Sequence, residues 1–501
     1  MTKNINRRTM MAVSASGLAL ASCSQKPEIK PAPKLESQNT ADLTTQISQL
    51  KNGDIQASEL LEETIARIET LNPKVGAVLT PCYDRARDFV KNLKPDTMTA
   101  GAPMLIKDLN DVEGVRTTYG IGAFKGFIAP ASDVYVKRVE KAGMAIVGKT
   151  NTPELGLLPV TEPLAYGPAR NPWNTDLTPG GSSGGTAAAI ASGMVPCAQG
   201  SDGGGSIRIP SHYCGLFGLK PSRHRVVAKV LRPFSIAVTG VLSRSVRDSA
   251  LMLSITETGD GDRDFSAIGL VRDPLDRPLK IGLAMNDYFT GANIADAEVT
   301  AVTERAAKFC ESLGHNVEIA TPPVYGQPLL DAFRMLWSSI PYEVTSNVKK
   351  MRGGTLAEGD FEPWTVAMAE GFVENGGAEG LATSIVLLKQ AEAEVVAFLS
   401  EYDVIISPVM PSAAHPLGKY KTVSREFMDA GFQEATRDVG YTAIYNVAGA
   451  PAMSVPLFRS PSGLPIGTQF IAKPGDDALL LQLAYQLEAA QPWIDSYPNL
   501  L

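Results

Sequence analysis

The chain has 501 residues, which is long enough to bury a large hydrophobic core and, by size alone, to form two or three domains. Hydrophobic residues make up 44% and charged residues 20% of the chain, a composition typical of a soluble globular protein. The net charge of -7, with no basic run after the extreme N-terminus, argues against nucleic-acid binding.

The N-terminus has the layout of an export signal. Arg7 and Arg8 precede an apolar run of small residues, Met10 to Ala21, which is too short to span a bilayer. The run ends in Leu20-Ala21-Ser22-Cys23, which resembles a lipobox, and the arginine pair resembles a twin-arginine signal. We therefore expect residues 1–22 to be a lipoprotein signal peptide and Cys23 to be lipidated. The alternative is a plain secretory signal followed by a chance cysteine.

The segment that follows resembles a linker. Residues 23–40 are rich in Pro, Lys, Ser and Gln, and we expect them to tether an exported, periplasmic protein to the membrane. Residues 41–501 are predicted to form a single domain.

Two helices are predicted at the start of this domain. The first has apolar residues at helical spacing at Leu43, Ile47 and Leu50. Ser58 is expected to cap the second helix, which is predicted to end at Asn72-Pro73.

Strand-like and helix-like segments then alternate through most of the domain. The predicted strands are Val75–Leu79, Met104–Ile106, Ala145–Val147, Ile281–Ala284, Val317–Ile319 and Val404–Ile406. The predicted helices are Val134–Ala142, Thr186–Ser192, Val299–Leu313 and Ala478–Glu488. The alternation predicts an α/β fold with a sheet covered on both faces. Between about 325 and 400 the pattern changes to long helices, which we interpret as a helical excursion that shapes the substrate site.

Two clusters rich in glycine and serine, Pro179–Gly185 and Ser201–Arg208, are the most informative part of the sequence. Glycine loses the most backbone entropy on folding, so such density needs a local reason. Flexible loops fit poorly, because both clusters lie among apolar strand and helix segments. A phosphate-binding loop is not supported, because no lysine follows at the required spacing. The third interpretation is nucleophilic catalysis, in which Ser206 follows three glycines whose N–H groups could form an oxyanion hole.

A serine nucleophile needs a general base. The chain has four histidines, and none is paired by spacing with a carboxylate, so a Ser-His-Asp triad is poorly supported. A buried lysine can replace histidine, because desolvation favours its neutral form. Lys107 follows the apolar run Met104–Ile106 and is a candidate base. These observations leave open that Lys107 only marks the end of a strand.

Several motifs together resemble the amidase signature family. The core motifs are Gly101–Asp108, Gly180–Gly185, Asp202–Ser211 and Gly215–Ser222. Further similar segments are Gly148–Asn151, Asn171–Asn174, Asn446–Ala452 and Leu464–Gln469. The resemblance covers nearly the whole chain after residue 22 and implies the family's fold, a central mixed, twisted β-sheet with helices on both faces. The segments around Asn171 and Asp202 are similar to the nylon-oligomer hydrolase branch of the family.

The resemblance implies a Ser-Ser-Lys triad. Ser206 would be the nucleophile, Lys107 the base, and Ser182 the hydroxyl that relays a proton between them. The family's spacing of 24 residues between the two serines selects Ser182 rather than Ser183. The resemblance also implies a cis peptide bond at the bridging serine.

The resemblance further implies the groups that support this triad. Gly203, Gly204 and Gly205, with the N–H of Ser206, would form the oxyanion hole. The expected supporting residues are Ser183, Asp202 and Arg208.

The function implied by the resemblance is hydrolysis of a linear amide through an acyl-enzyme, giving a carboxylate and ammonia or an amine. A small-molecule or peptide amide is the expected substrate, with no cofactor, no metal and no nucleic acid. One alternative is an amidotransferase subunit of the glutaminyl-tRNA type, against which an export signal argues. Another is a non-catalytic binding protein on the same fold, against which the intact triad positions argue. The motifs do not identify the amide.

Overall fold

The computed structural model describes residues 41–94, 96–228, 234–259, 265–420, 428–493 and 498. The predicted signal peptide (1–22), the lipidation site Cys23 and the tether (23–40) lie outside the described residues and stay predictions. Within the described ranges, no helix is both long enough and apolar enough to cross a membrane.

The strands of the described chain form two sheets. They are β1 (Val78–Pro81), β2 (Pro103–Lys107), β3 (Ala145–Thr150), β4 (Cys197–Asp202), β5 (Phe217–Lys220), β6 (Val238–Ser243), β7 (Lys280–Leu283), β8 (Asn316–Ile319), β9 (Val404–Pro408), β10 (Ala452–Arg459) and β11 (Pro465–Ile471). A three-stranded sheet has the order β1-β3-β2, and an eight-stranded sheet has the order β4-β6-β5-β10-β11-β9-β7-β8. Both sheets contain parallel and antiparallel pairs, so the predicted mixed α/β architecture is confirmed.

The two sheets meet at β2 and β4, which are edge strands of their own sheets and lie close together. A side chain joins them there. The buried Gln199 on β4 accepts the backbone N–H of Lys107 at 2.8 Å and donates to Asn110 at 3.0 Å. The predicted central sheet is therefore the eight-stranded one, extended by a smaller sheet through a side-chain contact.

Helices surround both sheets. They are α1 (Leu43–Asn52), α2 (Ala57–Val75), α3 (Tyr83–Lys91), α4 (Val134–Lys141), α5 (Gly184–Ala191), α6 (Arg208–Cys214), α7 (Val246–Thr256), α8 (Ala297–Ser312), α9 (Gly326–Met351), α10 (Pro363–Glu374), α11 (Gly377–Leu399), α12 (Met428–Asp438), α13 (Ala443–Val447) and α14 (Asp477–Ala490). Three of them, α9 to α11, occupy the segment predicted as a helical excursion.

Successive side chains of a strand point to opposite faces of its sheet, and β9 shows that both faces are covered. Val404 and Ile406 pack in one hydrophobic cluster with residues of α8 and α14. Ile405, between them, packs in another cluster with residues of α9 and α11.

The second helix begins earlier than predicted. α2 starts at Ala57 with Gln56 at its N-cap, so the predicted cap at Ser58 is wrong. The physical reason is a capping hydrogen bond, because the Glu59 carboxylate accepts the N–H of Gln56 at 2.9 Å.

The same helix also ends later than predicted. α2 continues through Pro73 to Val75, and the strand expected at Val75–Leu79 begins only at Val78. Leu71 and Val75 are both buried, so packing outweighs the hydrogen bond that proline cannot make.

Close helix-to-sheet packing depends on the small residues of α5, and Gly185 is the clearest case. A Cβ atom at Gly185 would lie 2.4 Å from the backbone N of Asn151. We expect Gly185→Ala to lower the free energy of unfolding by about 3 kcal/mol, because backbone must move to admit the methyl group.

Urea unfolding of the purified protein measures this change, with Gly371→Ala in α10 as the control. A Cβ at Gly371 meets no atom within 4 Å, and alanine is the better helix former, so this variant should gain up to about 1 kcal/mol. Equal stability of the two variants would contradict the packing argument.

Candidate active site

Ser206 lies in the turn between β4 and α6, directly after three glycines. Gly205 has a φ of +132°, and a Cβ atom there would lie 2.5 Å from Oγ1 of Thr442. Glycine is therefore required for the chain to turn here. The turn leaves Ser206 only 7% exposed, at the bottom of a pocket.

Lys107 ends β2 and is completely buried. Its Nζ atom lies within hydrogen-bond distance of three hydroxyl groups, Oγ of Ser182 at 2.8 Å, of Ser183 at 2.9 Å and of Ser201 at 3.1 Å. Burial lowers the pKa of Lys107 to about 7, against the opposing effect of the Asp202 carboxylate. Near neutral pH, a large fraction of this side chain is therefore a neutral amine.

Ser182 and Ser183 both contact Lys107 but have different surroundings. The Ser183 hydroxyl also donates to the carbonyl of Ser201 at 3.2 Å, which ties it to β4. Among the described residues, Lys107 is the only hydrogen-bond partner of the Ser182 hydroxyl. The peptide bond between Gly181 and Ser182 is cis, as the resemblance implied.

No hydrogen bond within the described chain joins the hydroxyls of Ser182 and Ser206, although both residues are buried and Ser182 lies close to Gly156, which lines the pocket together with Ser206. Hydrogen bonds of this kind often tighten only when substrate binds. The structure therefore contains the hydrogen bond between Lys107 and Ser182 but no direct hydrogen bond from Ser182 to Ser206 among the described residues.

Asp202 and Arg208 form a buried ion pair that holds the turn around Ser206. Arg208 Nη2 donates to Asp202 Oδ1 at 2.9 Å, and the same carboxylate accepts the N–H of Ile207 at 3.1 Å. Burial opposes the ionisation of Asp202, but the Arg208 charge and the hydrogen bonds outweigh it and keep the Asp202 pKa well below its usual range. A permanent buried ion pair therefore braces the turn.

Arg208 also donates hydrogen bonds to three residues far along the chain. The sequence assigned no role to these residues. Arg208 donates to Asn446 Oδ1 at 2.6 Å, to Gln469 Oε1 at 2.7 Å and to the carbonyl of Thr442 at 3.0 Å. Asn446 and Gln469 stand in segments that resemble the family, but no local spacing indicates that they reach Arg208.

One of the four backbone N–H groups predicted to form the oxyanion hole already has a hydrogen-bond partner within the turn. The N–H of Gly205 donates to Asp202 Oδ1 at 2.8 Å and is not available to a substrate oxygen. We find no hydrogen bond within the described chain for the N–H groups of Gly203, Gly204 and Ser206. These three are the donors that the turn can offer to a developing negative charge.

A pocket opens at Ser206. Its walls are mostly apolar side chains from α9, α10, α12 and residues 154–159, which we call the segment before α5. We call it the acyl pocket, and it is lined by Gly156, Leu157, Leu158, Pro159, Gly204, Ser206, Ile209, Phe333, Trp337, Trp364, Phe432, Ala435, Thr436 and Val439.

The sequence is similar to known amidases over most of its length. The family model described as Amidase matches residues 59–481. The chain is 34% identical over 484 residues to 6-aminohexanoate-cyclic-dimer hydrolase of a Pseudomonas species, covering 92% of this chain and 97% of that protein. It is 33% identical over 453 residues to the putative amidase AmiC of Mycobacterium tuberculosis, covering 89% of this chain and 93% of that protein.

Solved structures agree with this similarity. A structure of 6-aminohexanoate cyclic dimer hydrolase matches with a TM-score of 0.82 at 30% identity, covering 92% of this chain and 99% of the other. A bacterial aryl acylamidase of the amidase signature family matches with a TM-score of 0.78 at 26% identity, covering 90% and 96%. With its mixed sheet flanked by helices and its glycine-serine turns, the chain belongs to the amidase signature family.

Proposed function

We propose that the protein is an amidase that hydrolyses the C–N bond of a linear amide, with Ser206, Ser182 and Lys107 as a catalytic triad. The observation that carries the proposal is the buried Lys107 amine, which is 2.8 Å from the Ser182 hydroxyl. A lysine that is neutral near pH 7 can act as a general base, which an exposed lysine cannot do.

The acylation step follows from this arrangement. Neutral Lys107 accepts the proton of Ser182 while Ser182 accepts the proton of Ser206. Ser206 Oγ bonds to the amide carbonyl carbon, and the carbonyl electron pair moves onto oxygen. When the intermediate collapses, the C–N bond breaks and the relay returns the proton to the leaving nitrogen, which gives an acyl-enzyme and ammonia or an amine.

Deacylation reverses the same transfers with water as the nucleophile. The relay takes a proton from water while the water oxygen bonds to the ester carbon. The bond from carbon to Ser206 Oγ then breaks, the relay returns the proton to Oγ, and the released carboxylic acid ionises to the carboxylate. The N–H groups of Gly203, Gly204 and Ser206 would stabilise the oxyanion in both steps.

The Ser206 hydroxyl should be essential. We expect Ser206→Ala to lower kcat by at least about 10⁴-fold, because no other group can form the acyl-enzyme. Ammonia release from primary amides measures the rate, and a fluorophosphonate probe should label the wild type at this residue alone. Ser192→Ala removes another buried hydroxyl, which donates a hydrogen bond to the carbonyl of Ala189 in its own helix, and should keep both the rate and the labelling. Labelling of Ser206→Ala, or none of the wild type, would overturn the proposal.

Replacing Ser182 by alanine should lower kcat more than replacing Ser183 by alanine. We expect Ser182→Ala to lower kcat about 10² to 10⁴-fold, because it removes the only relay between base and nucleophile. Ser183→Ala should cost much less, since Ser183 mainly fixes β4. Steady-state kinetics of both variants test this difference, and equal losses would argue against Ser182 as the relay.

The pH profile should report the titration of Lys107. Since the amine is the base, kcat/KM should rise with pH through about 7 and become constant above it, as Lys107 loses its proton. Lys107→Met should remove this limb and lower kcat/KM about 10³-fold. Circular dichroism of the variant would verify that it folds. A variant with near-normal rate would show that another group is the base.

A further inference from the structure

Among the residues that the structure describes, those that line the acyl pocket include no charged side chain. Their only side-chain polar groups are the Ser206 and Thr436 hydroxyls and the indole N–H groups of Trp337 and Trp364. A charged group that entered would lose its water without gaining a counter-charge. The pocket therefore selects against charge in the part of the substrate next to the scissile carbonyl.

Trp337 forms the wall of the acyl pocket that lies over the glycine turn. A Cβ atom built on Gly203 would lie 3.2 Å from the Trp337 ring, so the indole directly covers this residue. The indole is fixed from two sides, because its N–H donates to the carbonyl of Leu157 at 3.0 Å and its ring stacks on Phe333 at 5.4 Å. Because the Trp337 side chain is held in this way, it limits the space available to a substrate beside Ser206.

Another part of the pocket lining is also aromatic. Trp364 of α10 stacks on Phe432 of α12, with ring centroids 6.2 Å apart and an interplanar angle of 23°. Flat aromatic walls make their best contacts with slender or planar apolar groups.

We propose that the substrate is an uncharged amide with a compact apolar acyl group, either a short alkyl chain or an aryl ring. Trp337 is the residue that limits the size of this group. The inference rests on the proposed amidase function and adds the substrate class.

Primary amides test the proposal, because their acyl group is the only part that can fill the pocket. Hexanamide and benzamide should be hydrolysed with kcat/KM at least about 100-fold above 6-aminohexanamide and adipic acid monoamide at pH 7.5, because the latter carry a charge at the chain end. Equal kcat/KM for the neutral and charged amides would overturn the substrate class.

Variants test the role of Trp337. Trp337→Ala should raise kcat/KM for decanamide relative to hexanamide about 10-fold, because it removes the wall. Trp337→Phe should change this ratio less, since a ring remains. The matched control is Trp173→Ala, because the Trp173 N–H also donates to a carbonyl, of Cys214 at 2.9 Å, but Trp173 does not line the pocket. An unchanged ratio in both Trp337 variants would contradict the size limit.

Fluorophosphonate labelling separates this inference from the proposed function. Labelling of Ser206 together with hydrolysis that ignores acyl charge and size would overturn the substrate class and leave the amidase proposal standing. A wild-type protein that is neither labelled nor active on any amide would overturn both.

Discussion

Burial of the Lys107 amine is the constraint on which the rest of the site depends. Lys149 is equally buried, but its Nζ donates to the Asp108 carboxylate at 2.9 Å. Lys107 has only hydroxyl partners within hydrogen-bond distance among the described residues. A charged amine without a close counter-charge is costly in a dry environment, so the fold favours the neutral form of Lys107. The surrounding strands and serine side chains exclude water from the Nζ atom of Lys107.

Lys107 ends a strand of the smaller sheet and Ser206 follows a strand of the larger one, whereas most of the pocket at Ser206 is supplied by α9, α10, α12 and the segment before α5. Helix α9 and the N-cap of α10 both contact the segment before α5. Trp337 donates to the carbonyl of Leu157, and the Glu154 carboxylate accepts the N–H of Glu362 at 2.9 Å. Burial and the nearby Glu362 carboxyl raise the pKa of Glu154 above its usual range. The pocket and the surroundings of Lys107 are thus built largely from different elements.

The resemblance to the amidase signature family predicted Ser182 and Ser183, two of the three hydroxyls that contact Lys107, but assigned no role to the third, Ser201. The sequence was not sufficient for contacts decided by tertiary structure. Asn446 lies 238 residues from Arg208 in the chain, and no local pattern indicates that the two side chains meet. The N–H of Gly205 is used by Asp202 because of the detailed course of a turn, which composition cannot reveal. Pro73 looked like a helix end, but burial of its neighbours decided otherwise.

The side-chain junction between the two sheets has a consequence for how the protein loses activity. Lys107 belongs to the smaller sheet, and Ser201 and Asp202 belong to the larger one, so neither sheet alone can keep the amine dry. If the smaller sheet separates while the larger one stays folded, water reaches Lys107 and the amine takes up a proton at neutral pH. Enzyme activity would then disappear while most of the secondary structure persists. Turnover is thus a sensitive reporter of the docking of one sheet on the other.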